Sequence, residues 1–264
     1  TTCLTRIMRP QLASLPLVAA CGWVSALESD EHGTTLMARI HTLSSCALSL
    51  IFTLVVSSPV AQEAFVPMLQ DPAEWHVVGG DARWVLKGGE LHGSDPETFW
   101  TGGENSFYTS RSSYSDFILE YEYKVAPWAN SGVMIRSRMH DEKQNLTGYQ
   151  VEIDHDHTRE RYWAGGIYEE KGRGWLFPQG GTPEGEAFTE QGLRLIRDDD
   201  WNEVRVKALG NRIQVWLNGE LRTDLVDDAA KAGVIGFQVH SVFWNFFEVH
   251  EVRFRNVRIA ELQQ

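Results

Sequence analysis

The chain has 264 residues, a length that fits one large domain or two small ones. It carries 24 Lys and Arg against 36 Asp and Glu, a formal net charge of -12. Such an excess of acidic residues disfavours binding to a phosphate backbone through a basic patch. Hydrophobic residues make up 42% of the chain, which is enough for a packed core, and the three cysteines are too few for a disulfide scaffold.

The N-terminal quarter of the sequence differs from the rest. Its three cysteines all precede residue 61, and an apolar run covers residues 43–56 after a short basic stretch that begins at Met37. A basic start, an apolar centre and small residues at the exit are typical of a secretory signal peptide. We therefore predict a signal peptide at 37–61, upstream readthrough or disorder at 1–36, and a cysteine-free domain at 62–264 that is secreted or periplasmic.

Other interpretations of this apolar run remain open. It is shorter than the roughly 20 residues that cross a bilayer, so the mature protein is expected to be free of the membrane. A buried helix or a membrane anchor formed by the N-terminal apolar segment would have a similar composition.

From Phe65 onward, apolar and polar residues alternate with a period of two. This alternation predicts half-buried strands. In chain order, the predicted strands lie at 117–124, 133–138, 149–154, 203–207, 212–218, 234–240 and 252–259. Hairpin-like turns are predicted at 87–90, 208–211 and 217–220. We expect at most one helical turn, at 224–232, and a long functional loop at 171–185. The predicted fold is all-β, a two-sheet antiparallel jelly-roll sandwich.

The side of each strand that faces away from the core carries the candidate functional residues. They are Arg136 on one strand, Gln150, Glu152 and Asp154 on a second, Trp216 on a third, and Gln238 and His240 on a fourth. If these strands share a sheet, they form a polar surface edged by aromatic rings, which suits a carbohydrate ligand.

Simpler interpretations compete with this one. Glu152 and Asp154 also fit a solvated strand face, Arg136 could pair with Glu152 across strands, and His240 could be a packed histidine. His155 and His157 share a face, but two histidines without a third ligand are weak support for zinc.

Several segments together resemble a known family. They are KGGEL at 87–91, YSDFILEY at 114–121, NSGVMIR at 130–136, GYQVEI at 148–153, RIQVWLNG at 212–219, GFQVH at 236–240 and FRNVRI at 254–259. In this order they resemble the secreted bacterial 3-keto-disaccharide hydrolases, which were formerly domains of unknown function. The resemblance covers about residues 65–260 and implies a concanavalin A-like lectin/glucanase sandwich.

The resemblance also implies a chemistry, the elimination of a glycoside that is already oxidised at C3. On that basis Glu152 or Asp154 would be the base, Arg136 would stabilise the enolate, and His240 or Glu169 would be the acid. The rings and amides that would hold the sugar are those of Gln150, Gln238, Trp163, Tyr168, Trp175 and Trp216. No cofactor or catalytic metal is expected, although calcium could brace a loop. An ordinary glycosidase and a non-catalytic glycan-binding module remain alternatives.

Overall fold

A computed structural model describes residues 63–94, 104–125, 130–140, 145–156, 161–241 and 251–263. The predicted signal peptide and the segment before it lie outside these residues, so both stay predictions.

The described residues form sixteen strands, one α-helix and a short 3₁₀ turn at Pro72–Glu74. The strands are β1 Val66–Pro67, β2 Trp75–Gly79, β3 Arg83–Lys87, β4 Glu90–Ser94, β5 Ser106–Ser110, β6 Phe117–Val125, β7 Asn130–His140, β8 Asn145–Asp156, β9 Arg161–Tyr162, β10 Ile167–Glu170, β11 Gly174–Phe177, β12 Asn202–Leu209, β13 Arg212–Leu217, β14 Glu220–Val226, β15 Val234–Val239 and β16 Glu251–Glu261.

The strands make two antiparallel sheets that pack as a sandwich. In the first sheet the order is β14-β13-β12-β6-β16-β4-β3, with β1 paired to β16. In the second sheet it is β11-β10-β8-β7-β15-β5-β2, with β9 paired to β8. The predicted fold class is therefore confirmed.

Alternation along the strands builds the core between the two sheets. On β8, Tyr149, Val151 and Ile153 are buried in this core, while the residues between them project from the opposite face of the sheet. Contact between the sheets is direct, since the rings of Phe237 and Phe254 lie 4.6 Å apart.

The three predicted hairpin turns are present. The turn between β13 and β14 has Asn218 at φ 49° and Gly219 at φ 87°. Two successive positive φ angles suit the right-handed twist of the flanking strands, and Asn-Gly is the residue pair that adopts them most readily.

The helix α1, Pro183–Leu195, corrects the expectation of at most one helical turn. Thr182 caps its start, with the side-chain oxygen accepting a hydrogen bond from the Gly185 N–H at 3.1 Å, and proline occupies the first position. The sequence pattern missed this helix because its buried face consists of Gly185, Phe188 and Gly192, which is not an apolar stripe. Within the described ranges, no helix is long and apolar enough to cross a membrane.

Arg222 on β14 fastens this helix to the sandwich. Its guanidinium donates to the carbonyl oxygens of Phe188 at 2.7 Å, Tyr162 at 2.9 Å and Ala164 at 3.1 Å. The group also lies 3.4 Å from the centre of the Phe188 ring. Burial lowers the pKa of Arg222 to about 9, which leaves the side chain charged at neutral pH. One residue thus fixes both the helix and the chain around Tyr162.

The close approach at Gly192 provides a test of this packing. A Cβ atom there would lie 2.0 Å from the Tyr162 carbonyl oxygen. Alanine has a helix propensity about 1 kcal/mol better than that of glycine, but overpacking a fixed backbone costs about 1–3 kcal/mol. We expect Gly192→Ala to lower the free energy of unfolding by about 1–2 kcal/mol in urea denaturation, because the steric term is the larger one.

The matched control is the exposed Glu190→Ala on the same helix, which should change stability by less than about 0.5 kcal/mol. Stabilisation of the protein by Gly192→Ala would contradict the packing described here.

Candidate active site

A cavity of about 240 Å³ opens on the face of the second sheet that points away from the core. Its lining brings together residues from six strands and the rim: Asn130, Gln150, Glu152, Arg161, Tyr168, Glu170, Trp175, Gln238 and His240. Six of these were candidates from the sequence, namely Gln150, Glu152, Tyr168, Trp175, Gln238 and His240. The other three, Asn130, Arg161 and Glu170, were not.

The floor of the cavity depends on a glycine. Gly132 pairs with Glu152 across β7 and β8, and the side chain of Gln150 crosses above this glycine. The Gln150 Nε2 group donates to Oε1 of Gln238 at 2.8 Å. A Cβ at residue 132 would lie only 2.1 Å from that nitrogen. The missing side chain therefore lets two buried amides from β8 and β15 join into one polar floor.

Glu152 is the central carboxyl group of the cavity. It is 6% exposed, and the Asn130 side-chain amide donates to it at 3.4 Å. Burial raises the pKa of Glu152 well above its ordinary range, and the nearby carboxylates Asp154 and Glu170 raise it further. A carboxyl group in such surroundings binds its proton more tightly than a solvent-exposed glutamate does.

Asp154 is committed to an ion pair with Arg161. The Arg161 Nε–H donates to Oδ2 of Asp154 at 2.5 Å, and Asp154 is fully buried. The guanidinium carbon of Arg161 lies 5.4 Å and 5.5 Å from the ring centres of Trp163 and Trp175. This arrangement holds a positive charge at the wall of the cavity, beside Glu152.

Glu170 is the second carboxyl group that lines the cavity. Asp154 does not fill this place because it is paired with Arg161. Burial raises the pKa of Glu170, while Lys171 at 3.8 Å and the Asn105 amide at 3.4 Å oppose this shift. The sequence analysis chose its neighbour Glu169 instead. Glu170 lies two positions after Tyr168 on the same strand face, and this spacing was the signal that could have identified it.

Glu169 lies on the other face of β10 and does not line the cavity. Its carboxylate accepts hydrogen bonds from the Arg173 guanidinium and, at 3.0 Å, from the Arg173 backbone N–H. These bonds lower the pKa of Glu169. A carboxylate that is held ionised in this way is a poor proton donor.

The aromatic wall consists of Trp175 with two rings packed against it. Trp163 meets Trp175 edge-on with ring centres 4.6 Å apart, and Tyr168 does so at 5.5 Å. The Trp163 indole N–H donates to the Thr189 hydroxyl of α1 at 2.9 Å. Trp163 thus supports Trp175 instead of lining the cavity itself.

Arg136 lies away from this cavity, against the expectation that it would join Glu152. A β-bulge interrupts the pairing of β7 with β8 between Ile135 and Arg138, and Arg136 adopts φ 46°. The bulge redirects the side chain, which donates to Asp116 at 2.9 Å and to the Ser115 and Gly210 carbonyl oxygens at 2.7 Å. Arg136 is 1% exposed, so these contacts satisfy a buried structural ion pair.

Trp216 is also separated from the cavity, because β13 belongs to the first sheet. It lines a different groove, of about 940 Å³, together with charged residues such as Glu203 and Arg205. The surface proposed from sequence required all four strands to share one sheet, and this strand does not.

His155 faces the core and not a metal site. Its Nε2 atom lies 2.9 Å from the Tyr123 hydroxyl, and its Nδ1 atom lies 3.4 Å from Oδ1 of Asp198. His157 lies outside the described residues. Among the residues that are described, no group of three or more His, Cys, Asp or Glu is arranged to hold a metal ion. A bracing calcium ion stays a prediction.

The sequence of residues 68–260 matches the profile of the 3-keto-alpha-glucoside-1,2-lyase-like domain. The chain belongs to this family. No curated protein shows a significant sequence match to it.

Solved structures that share the fold are distant in sequence. A protein provisionally described as a glycosyl hydrolase from Parabacteroides distasonis is 17% identical, with a TM-score of 0.53 over 76% of this chain and 95% of its own. A Bacillus subtilis protein of unknown function with a galectin-like fold is 10% identical, with a TM-score of 0.52 over 75% and 94%. A carbohydrate-binding module from Bacillus subtilis is 19% identical, with a TM-score of 0.49 over 71% and 96%. The first two likenesses show the shared fold alone.

The raised pKa of Glu152 can be tested without a ligand. Because the folded protein holds the Glu152 proton more tightly than the unfolded chain does, ionisation of Glu152 lowers the free energy of unfolding as pH rises above about 4.5. Glu152→Gln removes the ionisation, so the stability of the variant relative to the parent should increase between about pH 5 and pH 8. Urea denaturation at both pH values measures this difference.

Glu169→Gln is the matched control, since the pKa of Glu169 is shifted in the opposite direction. That variant should gain no relative stability over the same interval. A relative stability of Glu152→Gln that stays flat with pH would show that Glu152 titrates normally.

Proposed function

We propose that this member of the 3-keto-alpha-glucoside-1,2-lyase-like family cleaves 3-keto-glycosides by elimination in the cavity of the second sheet. One observation carries the proposal. Two buried carboxyl groups, Glu152 and Glu170, and the guanidinium of Arg161 line the same cavity as two amides and an aromatic wall. Such a cavity supplies a base, an acid and a positive charge around a ligand the size of one sugar ring.

Glu152 is proposed as the base. A ketone at C3 acidifies the hydrogen on C2, and the Glu152 carboxylate removes this proton. The electrons of the C2–H bond then form the C1–C2 double bond as the C1–oxygen bond breaks. The raised pKa of Glu152 supports this role, because it makes the carboxylate a stronger base than a solvent-exposed glutamate.

Arg161 is proposed to stabilise the charge that develops on the C3 oxygen. Its guanidinium is permanently charged and is oriented by Asp154 and the two tryptophan rings, so little reorganisation is needed during reaction. Arg161 thus has the role of stabilising the enolate, which the sequence analysis had assigned to Arg136.

Glu170 is proposed as the acid that protonates the departing glycosidic oxygen. The reaction starts from the form in which Glu152 is ionised and Glu170, whose pKa burial also raises, holds the proton that this step requires. Water then adds to C1 of the unsaturated sugar, Glu152 returns its proton to C2, and Glu170 recovers a proton from the water. Every group ends in its starting state, and the net reaction is hydrolysis.

The direct experiment compares methyl 3-keto-α-D-glucopyranoside with methyl α-D-glucopyranoside. Cleavage of the keto sugar alone supports the proposal, whereas cleavage of both indicates an ordinary glycosidase. Sugar binding without cleavage, unchanged in Glu152→Gln, indicates a glycan-binding module.

The cavity and the separate groove that Trp216 lines allow a prediction about sugar binding. Trp175→Ala should weaken binding of methyl 3-keto-α-D-glucopyranoside to the Glu152→Gln protein about tenfold, because an aromatic wall is lost. Trp216→Ala should leave this affinity unchanged, because Trp216 lies on the other sheet. Isothermal titration calorimetry measures both values. Equal losses for the two variants would place the sugar elsewhere.

We also propose that the protein acts outside the cytoplasm. The predicted signal peptide at 37–61 supports this location. Cell fractionation followed by N-terminal sequencing tests it. The protein should be found in the culture medium or periplasm without residues 37–61, and a protein found only in the cytoplasm with that segment attached would contradict it.

A further inference from the structure

One wall of the cavity is the β10–β11 hairpin at the edge of the second sheet. Strands β10 and β11 carry Tyr168, Glu170 and Trp175, and among the described residues β11 is the last strand of the sheet and pairs with β10. Because an edge strand has one hydrogen-bonded neighbour, it is freer to move than a central strand. Something other than the sheet ladder must therefore fix the position of this wall.

Arg173, at the tip of the hairpin, makes a two-pronged ion pair with Asp227. Its Nη1 donates to Oδ2 at 2.7 Å and its Nη2 donates to Oδ1 at 3.0 Å, while its Nε binds Glu169. Parallel donation from a guanidinium to a carboxylate fixes geometry as well as distance. The tip is thus tied to a residue that follows β14, the edge strand of the opposite sheet.

Asp227 is itself held firmly. Its Oδ1 accepts hydrogen bonds from the Ala229 N–H at 3.1 Å and from the hydroxyl of Tyr149, a core residue of β8. Its own N–H donates to the Asn211 carbonyl oxygen at 2.8 Å. Arg173, with the Tyr149 hydroxyl and the Ala229 N–H, holds the pKa of Asp227 well below its usual range. The anchor therefore remains a carboxylate across the physiological range of pH.

We propose that Arg173 and Asp227 form a latch that positions the β10–β11 hairpin, so that Tyr168, Glu170 and Trp175 keep their places around the substrate. Both are positioning residues, since neither lines the cavity. The effect on catalysis rests on the proposed function, whereas the effect on the hairpin does not. Half of the Arg173 side chain, 48%, is exposed, so the pair should contribute little to global stability.

Asp227→Asn tests the latch, and Asp224→Asn is its matched control. Asp224, three residues before Asp227, makes a two-pronged pair with Arg212 at 2.5 and 2.6 Å, and this pair does not touch the hairpin. We expect Asp227→Asn to speed amide hydrogen exchange over residues 168–175 about tenfold or more, and Asp224→Asn to leave it unchanged. Both variants should unfold at similar temperatures.

The kinetic readout separates positioning from structure. With methyl 3-keto-α-D-glucopyranoside, Asp227→Asn should lower kcat/KM about tenfold, since small displacements of reacting groups are costly. Arg173→Lys keeps the charge but loses the two-pronged hydrogen bonding. Its kcat/KM should lie between those of Asp227→Asn and the parent protein.

Each outcome decides a separate point. Unchanged exchange over 168–175 in Asp227→Asn overturns the latch, whatever the activity. Faster exchange with unchanged kcat/KM overturns its positioning role. Faster exchange in a protein that cleaves no keto sugar upholds the latch and rejects the proposed function alone.

Discussion

Three carboxyl groups, those of Glu152, Asp154 and Glu170, are buried on a sheet face that points away from the hydrophobic core. Ionised carboxylates are costly to remove from water unless they are paired, hydrogen-bonded or protonated. The protein uses different means for each of them. Asp154 has the guanidinium of Arg161, while Glu152 and Glu170 have side-chain amides and raised pKa values.

This burial depends on elements from both sheets. Arg222, on the edge of the first sheet, holds the backbone of Tyr162 and Ala164 through their carbonyl oxygens. The residues on either side of Tyr162 are Arg161, which pairs with Asp154, and Trp163, which supports the aromatic wall. The cavity of the second sheet is therefore positioned in part by the first, and residues remote from the ligand are expected to affect its binding.

Alternation along a strand was sufficient to predict the sandwich and most of the cavity floor, because β8 is regular where it carries Glu152. Alternation gave wrong predictions where a bulge, the order of strands in a sheet, an edge hairpin or a helix determined the position of a residue. A bulge at Arg136 turned a predicted site residue into a buried structural one, and sheet order, which alternation does not encode, separated Trp216 from the rest. Glu169 was chosen over Glu170 because the sequence did not show which residues of the edge hairpin face the cavity. The helix around Gly192 was missed because two of the three buried residues on its inner face are glycines.

Removal of the C2 hydrogen by Glu152 is the central chemical claim, and an isotopic label at that position tests it most directly. The substrate is methyl 3-keto-α-D-glucopyranoside that carries deuterium at C2, turned over in ordinary water. Elimination predicts a primary kinetic isotope effect, and the sugar product loses deuterium only as far as Glu152 exchanges its deuteron with solvent before water adds. Glu152→Gln should abolish turnover. Cleavage with the deuterium fully retained and no isotope effect would contradict the mechanism, because the C2–H bond would then remain intact throughout the reaction.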